Sequence, residues 1–65
     1  MAFYYGFGVG DRVTSGGDSK GTVVTPSGEP SEEMYKLKCV PVIWDEDEET
    51  KTISWTTSSS LKKLN

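Results

Sequence analysis

A chain of 65 residues with one cysteine, no histidine and a formal charge of −3 excludes more functions than it names. Its length holds one small core that buries roughly 60% of the unfolded surface. It leaves no room for a separate catalytic domain, and Cys39 alone permits neither an internal disulfide framework nor a zinc site of Cys and His ligands. The charge is local: five of the ten acidic residues stand together in DEDEE, residues 45–49, and without them the chain would carry +2. That footprint argues against backbone-driven nucleic-acid binding and for a partner protein with a basic surface.

The apolar fraction of 34% is gathered into short runs, so a small packed core is expected rather than disorder. The first residues lack a basic leader region and no apolar run is long enough to span a bilayer, which predicts a cytoplasmic location or the interior of a virus particle, not secretion.

The N-terminal MAFYYGFGVGD alternates with period two: Phe3, Tyr5, Phe7 and Val9 fall on one side, Tyr4, Gly6 and Gly8 on the other. This reads as an extended aromatic and glycine arm or extra strand, residues 1–8, ahead of a domain at residues 9–65. Two uses stay open for Phe3, Tyr4, Tyr5 and Phe7. They pack on their own domain, or they reach a neighbouring subunit, with the bare glycine face admitting another backbone. A phosphate loop is excluded, because G-x-G-x-G lacks the spacing and the following helix that such a loop needs.

A short strand around Val13, a turn at Gly16, Gly17 and Asp18, and a β-branched strand from Thr22 to Thr25 come next, followed by a polar loop at residues 26–33. The longest strand candidate is MYKLKCVPVIWD. Tyr35, Leu37 and Cys39 share one parity and Val40, Val42 and Trp44 the other, so a bulge or bend is expected beside Pro41. The acidic tip then forms a solvent-exposed hairpin turn, and TKTISW resumes with Ile53 and Trp55 on one face. Polar TTSSS offers one helical turn before Leu61 and Leu64, which are expected to close the core. Five or so strands and no helical periodicity predict an all-β fold, a small five-stranded barrel.

The hairpin fails as a calcium loop. Asp45, Asp47 and Glu49 alternate suitably, but Thr50 stands where the glycine belongs and Thr56 where the bidentate glutamate belongs. No metal or cofactor is expected. Cys39 lies in an apolar strand without a histidine partner, and exposed carboxylates lack the burial that tunes acid–base chemistry, so the chain is read as a non-enzyme. Trp44 and Trp55 flank the hairpin and are expected near one another across the strands, one filling the core and one serving as a surface anchor.

VGDRV, KGTVV, VIWDEDE and SSSLKKL together resemble the signature of small SH3-like barrels of the Tudor and KOW kind, most closely the bacterial Tudor-like domains, over most of the chain. The resemblance implies a non-catalytic small accessory module that binds a protein or peptide. It points to Tyr35, Trp44, Trp55 and Asp45 as the members of an aromatic cage for a cation, with Glu46, Asp47, Glu48 and Glu49 steering a basic partner. An alternative is a structural assembly protein, such as a phage or particle component, that self-associates through its arm. A weaker alternative is a KOW-like module associated with nucleic acid or the ribosome, with contributions from Arg12, Lys20, Lys36 and Lys38.

Overall fold

The computed structural model describes residues 3–26, 28 and 31–64. Among them, seven short strands, one five-residue helix and two 3₁₀ turns follow the glycine and proline breaks of the sequence. Strands β3 (Arg12–Thr14), β4 (Gly21–Val23), β5 (Cys39–Trp44), β6 (Ser54–Thr57) and β7 (Lys62–Lys63) form one antiparallel sheet in the order β6-β5-β4-β3-β7, curled into a half-barrel. The all-β expectation holds. None of the described helices is long and apolar enough to cross a membrane.

The register assigns the two faces of the sheet. Val13 lies opposite Gly21, and Val23 opposite Val42, so Val13, Val23, Val40 and Val42 share the concave side. All four are fully buried, and Phe7 and Leu61 join them, with Tyr4 and Trp44 packed against the cluster. Each such side chain contributes about 1.5 kcal/mol or more by leaving water. Gly21 is buried within this face, directly opposite Trp44, and its missing side chain leaves space for the indole. The 3₁₀ turn Ser58–Ser60 delivers Leu61 to the core, as the TTSSS segment predicts, whereas Leu64, expected in the core as well, follows the end of β7 and is exposed.

Three expectations are corrected. The N-terminal stretch is not one extended arm but a hairpin of β1 (Phe3–Tyr4) and β2 (Phe7–Gly8), with Tyr4 opposite Phe7. Tyr5 and Gly6 form its two-residue turn at φ +54° and +94°, both left-handed as a type I′ turn requires. The turn breaks the odd-residue stripe: Phe7 enters the core while Tyr5 is exposed at the tip. The Phe3 side chain lies outside the described set.

Second, MYKLK does not belong to the long strand, which begins at Cys39. Residues 32–36 form helix α1 (Glu32–Lys36), its N-terminus capped by the Ser31 hydroxyl, which accepts from the Met34 amide. Glu32 and Glu33 in the first turn and Lys36 in the last suit the helix dipole. Lys38, at φ +54°, turns the chain out of α1 and into β5. The loop expected at residues 26–33 therefore ends at Ser31, and Ser27, Glu29 and Pro30 lie outside the described residues.

Third, β5 runs through Pro41 without a bulge, pairing residue for residue with β6 from Cys39 opposite Thr57 to Val42 opposite Ser54. The phase change in the sequence marks the passage from helix to strand. Pro41 acts on the other neighbour. The Val24 amide donates to the Pro41 carbonyl at 3.0 Å, but Pro41 has no N–H to return, and the β4–β5 ladder stops there.

Candidate functional site: the outer face of the sheet beside the acidic hairpin

The convex face carries Arg12, Thr22, Ile43 and Trp55, the residues whose parity opposes the core. Arg12 on β3 reaches across β4. One guanidinium nitrogen donates to both Thr22 Oγ1 and Asp45 Oδ1 at 2.8 Å, and the other to Asp45 Oδ2 at 2.7 Å. This two-pronged pair holds the Asp45 carboxyl below its ordinary pKa, first through the hydrogen bonds from Arg12 and then through its charge. The Asp45 amide donates to the Lys20 carbonyl at 2.9 Å, so both backbone and side chain pin the first acidic residue to the sheet.

The rest of the hairpin is compact. Residues Asp45–Asp47 form a 3₁₀ turn, the Asp47 carbonyl accepts from the Lys51 amide and the Thr50 hydroxyl, and Lys51 at φ +53° closes the loop. Glu46, Glu48 and Glu49 are exposed. Between hairpin and sheet lies a pocket of about 320 Å³ with Val24 and Ile43 as its apolar floor beside Thr22, and with Asp45, Glu48 and Lys51 as its charged rim. A second pocket of about 260 Å³ lies on the other side of the hairpin, between the β3–β4 turn residues Asp18, Ser19 and Lys20 and the side chains of Trp44 and Glu46.

The structure brings Asp45 and Glu48 together around the outer pocket and puts Glu46 beside Trp44. It separates the other residues the resemblance grouped. Val42 opposite Ser54 and Pro41 opposite Trp55 put Trp44 and Trp55 on opposite faces, so the two indoles do not meet. Tyr35 is exposed on α1, which lies against β5 and leads into its Cys39 end, whereas Asp45 follows its Trp44 end, a strand about 20 Å long. Tyr35, Trp44, Trp55 and Asp45 do not form a cage. Of the arm residues, Phe7 and Tyr4 pack into the domain's own core and Tyr5 faces solvent.

Sequence reasoning passed over Arg12 as a positioning residue and Val24 and Ile43 as a pocket floor. The only available signal was the parity of Ile43 against Val42. The 33-residue separation of Arg12 and Asp45 carries none. No protein-family model, curated protein or solved structure matches the chain.

Proposed function

We propose that the chain is a non-enzymatic interaction module, an SH3-like barrel of the Tudor-like kind, that binds a basic segment of a partner protein at the outer pocket. The strand order supports the barrel reading: a meander of β3 to β6, a 3₁₀ turn, and a last strand that returns to pair with β3. The observation that carries the binding reading is the apolar floor of Val24 and Ile43 set beneath the acidic hairpin. An aliphatic side chain of the partner fills the floor while its neighbouring lysine or arginine meets Glu48 and the exposed Glu46 and Glu49. The apolar contact supplies affinity and the charges supply steering. A reducing, cytoplasmic setting suits the free, buried Cys39.

The test is an NMR titration of the full chain with a capped lysine–valine–arginine–lysine peptide. Amide shifts are expected at Thr22, Val24, Ile43 and Glu48, weakening as salt rises from about 0.05 to 0.5 M, and weaker in Glu48→Gln. Shifts confined to residues away from this pocket, or equal shifts with a peptide that has glycine in place of valine, would overturn the proposal.

A further inference from the structure

The two edges of the sheet are built differently. Strand β7 carries Lys62 and Lys63, side chains that discourage pairing with another strand. Strand β6, at the other edge, reads Ser-Trp-Thr-Thr, with no charge, no proline and no bulge among Ser54–Thr57. The bond from the Ser58 amide to the Lys38 carbonyl (2.9 Å) sets the phase of its pairing. Ser54 and Thr56 turn their N–H and C=O groups toward β5, and Trp55 and Thr57 turn theirs to the open side. Among the described residues, no hydrogen bond reaches the backbone of Trp55 or Thr57 from that side.

We infer that β6 is a pairing edge for a second copy of this chain. The segment is self-complementary. Antiparallel pairing about a two-fold axis at Thr56 sets Trp55 opposite Thr57 of the second copy and Thr57 opposite Trp55, giving four backbone hydrogen bonds from groups otherwise unpaired. It also places an aromatic against a β-branched side chain twice, a favourable cross-strand pairing. Because the strands run in opposite directions, each acidic hairpin lies toward the Ser58–Ser60 end of the other copy, and the two clusters of negative charge point apart. The paired edges themselves carry no charge to repel. The result is one continuous ten-stranded sheet. This inference is independent of the outer pocket, which it leaves open in each copy.

Thr57→Pro isolates the edge. Thr57 has φ −56° and ψ 128°, a conformation proline adopts, and Thr56 before it is in extended strand. The lost N–H is the one facing the open side, so the β5–β6 ladder keeps every bond. Sedimentation equilibrium of the full chain from about 10 μM to 1 mM, the range of weak transient contacts, is expected to show monomer passing to dimer. Exchange of the Trp55 and Thr57 amides should slow at the upper end of that range. Thr57→Pro is expected to remain monomeric throughout with an undiminished melting temperature, and Tyr5→Ser to dimerise as the parent does. A parent chain that stays monomeric, a dimer that survives Thr57→Pro, or a dimer abolished by Tyr5→Ser would each overturn the inference. The exchange measurement on the unaltered chain decides the matter even if the proline variant does not fold.

Discussion

Gly21→Ala tests the packing of the concave face directly. A Cβ at this position would stand 2.6 Å from Val42 Cγ1, 2.8 Å from Trp44 Cε3 and 3.0 Å from the Ile43 carbonyl oxygen, where carbon atoms pack at about 3.5–4.0 Å. Val42 is fully buried and cannot withdraw without displacing Val23 opposite it, whereas Trp44 is half-buried and can swing outward. Overpacking of this kind costs about 1–3 kcal/mol, and three simultaneous overlaps place it at the upper end. Stiffening of the unfolded chain returns about 0.4–1 kcal/mol. The net loss is about 2 kcal/mol, which for a domain this small lowers the melting temperature by about 8–16 °C. Thermal and urea unfolding followed by circular dichroism read it out. Val42→Ala in the same background removes one clashing atom, so the double variant should lose less than the two single losses combined by about 1 kcal/mol. Gly28→Ala, with open space around it, should change stability by no more than about 0.5 kcal/mol. A Gly21→Ala chain as stable as the parent, or strict additivity with Val42→Ala, would refute the argument.

Phe7→Ala should cost about 3–4 kcal/mol in urea unfolding because Phe7 belongs to the core; an effect below about 1 kcal/mol would show that the hairpin does not hold the domain together. Lys38→Gly relieves a left-handed lysine after α1 and should stabilise by about 0.5–1 kcal/mol by the same assay. The Asp45 carboxyl should titrate below the ordinary value of about 3.9 by NMR and return toward it in Arg12→Met. Its folded pKa is the depressed one, so the pair's contribution to stability is present above that ordinary value and is lost as pH falls through the lower folded pKa. A titration unchanged in Arg12→Met would remove Arg12 as the cause.

The strands of the sheet were legible in the sequence because β-branched runs between glycine turns have few other uses, and the 3₁₀ turn before Leu61 was legible because TTSSS is polar and the following leucine is not. The N-terminal hairpin was hidden by coincidence. Tyr-Gly is an uncommon type I′ pair, and the apolar odd positions of residues 3–9 imitate a single strand although the two-residue turn sets Tyr4 and Phe7, of opposite parity, on the same side. Helix α1 was hidden by its length, since five residues are too few to show a 3.6-residue period, although Ser31 followed by two glutamates carried the cap signal. The faces of Trp44 and Trp55 depend on register across the hairpin, and its loop hides a 3₁₀ turn that sequence spacing does not reveal.

The same register explains how so small a chain keeps a pocket on a sheet whose other face holds the core. The concave face is filled by valines that leave no polar group to satisfy, so its stability asks nothing of the convex face. On the convex side, Arg12 ties β3, β4 and the start of the hairpin into one hydrogen-bonded line over Thr22, next to the pocket rather than inside it. The clamp gives Asp45 a fixed orientation while leaving Glu46, Glu48 and Glu49 without a salt-bridge partner among the described residues. One carboxylate of the acidic cluster is therefore structural, and the charge available to a basic partner comes from the residues after it. Neutralising Asp45 and neutralising Glu48 should accordingly act on different observables, the first on stability at neutral pH and the second on salt-dependent binding.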